Sequence, residues 1–182
     1  MKSKTPTKEY FGQESERLSF RPLVVSDIDL WADFFNDNPS ERFVAGDRLG
    51  TTPVEKATTW IMKQIDRMQN NQFGQLAVIE KETGKLIGLG GIIYRDMDDA
   101  EEFEVTYSLL PTCWGKGYAT ELAVHFKEFG FNHIDSPSLI SMIHKENEPS
   151  MNVARKNGMV QTSEIFFLDM PICVFRVEMV AE

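Results

Sequence analysis

The sequence predicts a mixed α/β (α+β) domain in which about six or seven strands form one mostly antiparallel central sheet, flanked by about four helices. The chain has 182 residues, of which 42% are hydrophobic, and this is enough for one sizeable core. Three strand-like runs joined by short turns occupy the middle of the chain, which favours an antiparallel meander. A later strand–helix–strand order predicts one parallel pair, since such a crossover joins parallel strands.

The N-terminal part of the chain is polar up to the first strand-like run. Residues 1–15 are predicted to form a flexible arm, and residues 16–182 a single domain. Leu18 and Phe20 alternate with polar neighbours in "RLSFRPLV", which indicates the first strand of that domain.

Two helices are predicted next. In "SDIDLWADFFND", Ser26 is a candidate N-cap. The apolar residues that follow it recur at helical spacing and form either core or one wall of a substrate groove: Leu30, Trp31, Phe34 and Phe35. The second helix begins with a capping box made by Thr52 and Glu55, with Pro53 at its first position. Residues 38–51 are expected to form a loop or a short broken helix.

The meander consists of "QLAVIE", "LIGLGGIIYR" and "FEVTYSLL". Gly84 supplies the positive φ that a short turn between the first two strands needs. The acidic run "DMDDAEE" is predicted to be a solvated turn before the third strand. Alternation along that third strand places Glu104, Thr106 and Ser108 on one face, opposite the face that carries Tyr107.

The second half of the chain begins with a helix from Gly117 to roughly Phe131. The run "SLISMIH" then predicts a strand, and "EPSMNVARKNGM" a short helix that ends at Gly158 in the C′ position. "VQTSEIFFLD" and "PICVFRVEMV" are predicted to close the chain as two further strands.

Composition excludes several classes of function. A formal net charge of −9 argues against a nonspecific nucleic-acid-binding protein, which needs a basic surface. The same acidity either attracts a cationic substrate or serves solubility alone. No run of about 18 apolar residues indicates a membrane span, and no secretory signal is recognisable, so we expect a cytoplasmic protein. Cys113 and Cys173 are expected to be reduced thiols, and the dispersed histidines predict no metal site.

The segment "PTCWGKGYATE" places two glycines at the start of a predicted helix, where glycine is intrinsically unfavourable. One explanation is a tight strand-to-helix turn. The other is an anion site, because the first N–H groups of a helix lack partners and glycines let a phosphate approach them. Lys116 would add positive charge. The spacing fits neither a Walker loop nor a dinucleotide fingerprint.

The segment "YSLLPTCWGKGYATE", followed about 25 residues later by "NEPSMNVARKNGM", resembles the GNAT superfamily of acetyl-CoA-dependent N-acetyltransferases. The opening "ERLSFRPL", with "SDIDLW" close behind it, resembles the branch that contains the ribosomal-protein alanine N-acetyltransferases. The resemblance runs from about residue 16 to the C-terminus. It implies a GNAT-like fold with a twisted sheet whose parallel pair is splayed.

The resemblance also implies where acetyl-CoA, as co-substrate, binds. Backbone N–H groups of the glycine turn wrap the pyrophosphate, and the family pattern falls on Trp114, Gly117 and Ala119, with Trp114 departing from the usual Gln or Arg. Strand residues from Tyr107 onward pair with pantetheine. The implied cofactor-binding residues are Ser108, Leu109, Leu110, Trp114, Gly115, Lys116, Gly117, Tyr118, Ala119, Thr120, Asn147, Ser150, Asn152, Val153 and Lys156.

Acetyl transfer from a thioester to an amine needs a group that deprotonates the amine, a donor for the oxyanion and a proton for the leaving thiolate. Glu104 is the candidate base or water-positioning residue, the alternative being a surface glutamate. Ser150 is the candidate proton donor, the alternative being a helix cap. The late segment "SEIFFLDMPI" lacks the tyrosine that many superfamily members use as acid. A covalent route through Cys113 would need a basic partner, and only Lys116 lies near it in sequence.

These observations predict direct acetyl transfer, in a ternary complex, to a primary amine. The acceptor is a protein N-terminus, such as that of a ribosomal protein, or a small-molecule amine. The alternative is a noncatalytic acyl-CoA-binding or sensor module of the same fold. Substrate choice is expected to depend on residues 26–72 and the last two strands, and those strands would suit a homodimer edge.

Overall fold

A computed structural model of the chain describes residues 3–44, 48–97 and 100–179. Its strands form one sheet in the order β1-β2-β3-β4-β5-β7-β6. The strands are β1 (Leu18–Arg21), β2 (Gln75–Glu80), β3 (Lys85–Met97), β4 (Ala100–Leu109), β5 (Ser138–His144), β6 (Val160–Phe167) and β7 (Met170–Glu178). The helices are α1 (Asp27–Ala32), α2 (Pro53–Gln69), α3 (Tyr118–His133) and α4 (Glu148–Lys156). The predicted fold class is confirmed.

The sheet lies between two groups of helices, as the alternation along β2 shows. Leu76 and Val78 belong to a hydrophobic cluster that includes residues of α3. Ala77, which points to the opposite face, packs in a second cluster with residues of α1 and α2. The predicted aromatic group lies in this second cluster, where Trp31 is fully buried and stacks on Phe34 at 4.5 Å between ring centroids.

Local sequence explains the two N-terminal helix starts differently. The hydroxyl of Thr52 accepts the N–H of Glu55 at 3.2 Å, and the Glu55 carboxylate accepts the N–H of Thr52 at 3.1 Å. The predicted capping box of α2 is therefore confirmed. Ser26 occupies the N-cap position of α1, but its side chain makes no capping hydrogen bond. Asp27 instead accepts the N–H of Val24 at 3.0 Å.

Residues around Tyr10 correct the expectation of a flexible N-terminal arm for that part of residues 1–15. The Tyr10 ring is fully buried, and its hydroxyl donates to the carbonyl of Gly74 at 2.6 Å. The same oxygen accepts the N–H of Ile92 at 2.8 Å. A Cβ on Gly91 would collide with this hydroxyl, so glycine is required there. A large ring that buries itself and satisfies its hydroxyl holds the segment against the sheet.

The predicted acidic turn is shorter than expected. Asp96 belongs to β3, while Glu101 and Glu102 belong to β4, and the residues between the strands lie outside the described part of the chain. Glu102 is buried and forms an ion pair with Arg176 of β7 at 2.5 Å. A partner from a distant strand therefore draws this carboxylate out of the solvent.

The parallel pair opens soon after it forms. Strands β4 and β5 pair at Glu104 and Ile140. The Ser141 hydroxyl then donates to the carbonyl of Val105 at 2.7 Å. Among the described residues, β4 has no strand partner on this side beyond that point, although its other edge stays paired with β3 as far as Leu109. The sequence-based expectation of a splayed pair is confirmed.

Candidate active site

The glycine turn joins β4 to α3. Gly115 has φ +75° and Gly117, the N-cap residue of α3, has φ +82°, both in the left-handed region that favours glycine. No side chain of the described residues caps this helix end, so its first N–H groups are free for an anion. A Cβ on Gly115 would meet no protein atom within 4 Å, so the backbone there faces open space.

Side chains from outside the turn hold it in place. Glu121, in the first turn of α3, accepts the N–H of Arg17 at 2.7 Å and the Ser15 hydroxyl at 2.6 Å. The Arg17 guanidinium donates to the same carboxylate at 2.7 Å and to the carbonyl of Lys116 at 2.9 Å. At the other side of the turn, Trp114 Nε1 donates to the carbonyl of Leu109 at 2.8 Å. The turn is therefore tied both to the segment just before β1 and to β4.

A cavity of about 590 Å³ opens at this turn, and we name it the glycine-turn cavity. Most of the residues implied as cofactor-binding line it: Ser108, Leu109, Trp114, Gly115, Gly117, Tyr118, Ala119, Thr120, Asn147, Ser150, Val153 and Lys156. Leu110, Lys116 and Asn152 are not part of its wall. The N–H of Leu110 donates to the carbonyl of Ile87 at 2.9 Å, and Asn152 Oδ1 accepts from Arg155 at 2.9 Å.

The start of α4 contributes two residues to the glycine-turn cavity. Asn147 is the N-cap of the helix, and its Oδ1 accepts the N–H of Ser150 at 3.3 Å. The alternative in which Ser150 itself caps this helix is therefore wrong. The Ser150 hydroxyl has no hydrogen bond to any described residue and remains available to a ligand.

A second cavity, of about 430 Å³, lies along the opened pair and is named here the Glu104 cavity. Glu104, Thr106 and Ser108 line it, and so do Val105 and Tyr107 from the other face of β4. Glu104 is only 4% exposed, so the alternative of a surface glutamate is wrong. Arg95 Nε and Nη2 contact its Oε2 at 2.7 and 2.6 Å. Its Oε1 has no hydrogen-bond partner among the described residues and can accept a proton from an amine or a water.

The two cavities meet at Tyr107, Ser108, Asn147 and Ser150, which line both. The Tyr107 hydroxyl donates to the carbonyl of Ser150 at 3.0 Å. Burial raises the pKa of Tyr107 well above its usual range, so the phenol stays protonated. The sequence analysis included Tyr107 only through its backbone, in the strand implied to pair with pantetheine, and gave its side chain no role because it assigned Tyr107 to the apolar face of β4. The available signal was that Tyr107 is the one hydroxyl-bearing residue on that face.

A polar network forms another wall of the Glu104 cavity and was not predicted. Trp60 Nε1 of α2 donates to Gln75 Oε1 at 2.6 Å, and Gln75 Nε2 donates to the Thr106 hydroxyl at 3.1 Å. The N–H of Gln75 donates to Gln64 Oε1 at 3.0 Å. The network fixes α2 against β2 and β4. Its members come from three separate elements, so no single stretch of sequence signals it.

The remaining reactive side chains fit packing roles. Cys113 is buried in the wall of the glycine-turn cavity, and its Sγ lies 3.8 Å from the Thr112 hydroxyl. His133 is the last residue of α3 and stacks on Phe129 at 4.3 Å. Within residues 3–44, 48–97 and 100–179, no group of three or more His, Cys, Asp and Glu residues could hold a metal ion. No helix in these ranges is long and apolar enough to cross a membrane.

A family model described as "Acetyltransferase (GNAT) domain" matches residues 17–160, which is most of the chain. The chain belongs to the GNAT acetyltransferase family. A relative from Bacillus licheniformis, named "Uncharacterized N-acetyltransferase p20", is 25% identical over 155 residues that cover 82% of this chain and 85% of the relative. Membership of this family makes the protein an N-acetyltransferase, and it implies the use of acetyl-CoA.

Solved structures show the same fold. An acetyltransferase from Agrobacterium tumefaciens str. C58 has a TM-score of 0.76 and 26% identity, covering 92% of this chain and 94% of its own. RimL, described as a ribosomal L7/L12 α-N-protein acetyltransferase in complex with coenzyme A, has a TM-score of 0.74. At 12% identity, over 92% of this chain and 97% of its own, RimL is similar in fold alone.

Proposed function

We propose that this acetyltransferase moves the acetyl group of acetyl-CoA directly to a primary amine while both substrates are bound. The observation that carries the proposal is the meeting of the two cavities at Tyr107, Ser108 and Ser150. One cavity offers the free N–H groups of a helix start, and the other offers a buried carboxylate with one free oxygen. A thioester carried in the first cavity would meet an amine held in the second.

The glycine-turn cavity is the proposed acetyl-CoA site. The N–H groups that follow Gly117 are suited to the pyrophosphate, because helix starts attract anions. Lys156 and Arg42 bring positive charge to the same wall. Among the described residues of this wall, Glu146 is the one that carries a carboxylate, and its Oε2 lies 3.8 Å from Nη1 of Arg42. The unpaired edge of β4 beyond Glu104 is suited to hydrogen bonds with the pantetheine amides.

Glu104 is the proposed base, acting on the amine directly or through an ordered water. The amine must lose a proton to attack the thioester carbon, and Oε1 of Glu104 is free to accept it. The Arg95 contacts to Oε2 hold the carboxylate in one orientation. Backbone N–H groups on the unpaired edge of β4 are the proposed donors to the oxyanion, since they are fixed before the reaction begins.

Ser150 is the proposed donor of the proton that the leaving thiolate needs. Its hydroxyl has no competing hydrogen bond to a described residue, and it lies in the first turn of α4, where the helix dipole favours negative charge. Tyr107 orients this turn through its hydrogen bond to the Ser150 carbonyl. The noncatalytic sensor alternative would need neither Glu104 nor Ser150.

The acceptor is proposed to be a small amine or a protein N-terminus. The ribosomal-protein acceptor named for RimL motivates the proposal of a protein N-terminus.

We further propose a cytoplasmic location. A homodimer through β6 stays a prediction. That strand lies at the end of the sheet and carries Phe166, which is 82% exposed.

The experiment that tests the proposal is isothermal titration of the protein with acetyl-CoA, beside a Gly117→Trp variant. We expect micromolar binding that the variant abolishes, because an indole at this helix start would block the pyrophosphate. Thiol release is then measured with a panel of amines. Binding with no thiol release from any amine would support the sensor alternative, and no binding at millimolar acetyl-CoA would refute the proposed function.

A further inference from the structure

One face of α2 borders the Glu104 cavity. Trp60, Lys63, Gln64 and Arg67 follow one another at helical spacing and all line this cavity. Trp60 and Gln64 belong to the network that fixes the helix to the sheet. Lys63 and Arg67 are like charges four residues apart, an arrangement that disfavours a helix. Helix stability therefore does not explain why two cations lie side by side here.

The wall of the Glu104 cavity is positively charged. Among the described residues that line it, Arg48, Lys63, Arg67 and Arg95 are cations, and Glu104 is the carboxylate that faces them. Arg48 pairs with Asp169 outside the wall, and Arg95 pairs with Glu104. The side chains of Lys63 and Arg67 form no ion pair or hydrogen bond with any described residue. Two positive charges in the wall therefore remain without a partner.

Lys63 and Arg67 are close enough to the Arg95–Glu104 ion pair for its charges to change their pKa values. Burial lowers the pKa of Arg67, and the positive charge of Arg95 lowers it further, while Glu104 opposes the change. Burial also lowers the pKa of Lys63, with smaller contributions from Arg67 and Arg95. Partly desolvated like charges repel one another, so an anion that enters this cavity would relieve that repulsion.

The phosphates of coenzyme A do not account for this charge. Lys63 and Arg67 line the Glu104 cavity and not the glycine-turn cavity, whose wall has its own cations in Lys156 and Arg42. The chain as a whole carries a formal net charge of −9, which would attract a cationic acceptor. The local charge of the acceptor side is opposite in sign to that of the whole protein.

We propose that the acceptor is a small primary amine that carries a carboxylate or phosphate group on the same molecule. Arg67 and Lys63 bind its anionic group, while its amine reaches Oε1 of Glu104. This inference rests on the proposed function, because it assigns the Glu104 cavity to the acceptor. It selects against polyamines, whose additional cations would meet like charges on α2.

The test compares amines that differ in the anion alone. Phosphoethanolamine is paired with ethanolamine, and β-alanine with its amide, and thiol release is measured with saturating acetyl-CoA. We expect kcat/KM to be at least tenfold higher for the anionic member of one pair or both. The pair that shows the preference identifies the anion as phosphate or carboxylate. The amide has the less basic amine and hence more of the reactive neutral form, so amine reactivity alone cannot produce this result.

Variants locate the effect on α2. Arg67→Gln should lower kcat/KM for the anionic amine, through a higher KM, at least tenfold more than it lowers kcat/KM for the neutral partner. Lys63→Gln, at a more exposed position, should act in the same direction and serves if Arg67→Gln does not fold. The matched control is Arg155→Gln on α4, which removes an exposed arginine paired with Glu148 and should change neither constant.

Three results would overturn the inference while the proposed function stands. These are equal or better use of the neutral amines, an Arg67→Gln variant that lowers kcat for every acceptor alike, and acetylation of spermidine or short peptides with neither turnover nor calorimetric binding of the anionic amines. If acetyl-CoA itself does not bind and no amine releases thiol, the proposed function fails and this inference falls with it.

Discussion

The glycine-turn cavity and the Glu104 cavity share residues of β4 and α4, but they differ in which groups form their walls. The first is formed largely by backbone, with positive φ at Gly115 and Gly117 and a helix start without a side-chain cap. The second is formed by side chains that β2, β3, β4 and α2 bring together. A backbone site suits a ligand that is common to a family. A side-chain site can change its ligand by substitution while the fold stays the same.

The largest expected effect comes from removing the carboxylate of the Glu104 cavity. Glu104→Gln should lower kcat/KM by about 10²–10³-fold, because general base catalysis contributes on this scale. Acetyl-CoA binding, measured by calorimetry, should be unchanged. Glu102→Gln is the control. It lies on the same strand, is buried and loses an ion pair with Arg176, but lines neither cavity. Equal loss of activity in both variants would show that Glu104 acts through stability alone.

A smaller effect is expected where the cavities meet. Ser150→Ala should lower kcat by about 10²-fold, the lower end of what a positioned proton donor contributes. Tyr107→Phe should cost about fivefold, since it loses one hydrogen bond of about 1 kcal/mol. The comparison is made by steady-state kinetics at saturating acetyl-CoA. The reverse order of effects would make Tyr107 the proton donor.

The pH dependence of activity is a second way to compare Tyr107 with Ser150 as the proton donor. Burial disfavours the phenolate of Tyr107 and raises its pKa from the ordinary value of 10.0, so the hydroxyl remains protonated to higher pH than a free tyrosine. Any loss of activity on the alkaline side below pH 10 should therefore persist in Tyr107→Phe. Its disappearance in that variant would contradict the raised pKa.

A smaller effect than those of Glu104→Gln and Ser150→Ala is expected from one methyl group at the glycine turn. Gly115→Ala should weaken acetyl-CoA binding about tenfold, because it strains a left-handed residue and adds a Cβ beside the ligand. Gly12→Ala is the matched control, with φ +79° and no atom within 4 Å of the added Cβ. Both variants should lose about 1–2 kcal/mol of stability, measured by denaturant unfolding. Equal acetyl-CoA affinity in the two variants would show that the turn does not bind the pyrophosphate.

Several parts of the fold could be predicted because they depend on neighbouring residues. The capping box at Thr52 and Glu55 is complete within four residues, and the three strand-like runs of the meander are neighbouring strands of one sheet. The position of Tyr10 could not be predicted. Its hydroxyl meets backbone groups at Gly74 and Ile92, more than 60 residues away in sequence. Local patterns carry no information about such partners.

The candidate site divides in the same way. The glycine turn could be predicted from the sequence because left-handed backbone favours glycine, and because every helix start has N–H groups without partners in the helix. The burial of Glu104 could not be predicted from the sequence, since it depends on the register of β3 against β4. That register pairs Ile93 with Glu104 and puts Arg95 on the diagonal, within reach of the carboxylate. A shift of one residue would have turned Arg95 to the other face.

The sequence by itself determined the order of the elements along the chain and the glycine turn at the start of α3, because both follow from backbone preferences over a few adjacent residues. The splayed pair was implied by the resemblance to the GNAT superfamily. Only the tertiary structure decided the charge of the Glu104 cavity. The composition gives an acidic protein, whereas the packing of α2 across the sheet gathers Lys63 and Arg67 beside Arg95 in one cavity wall. Electrostatic interactions depend on distance in space, and the folded chain sets those distances.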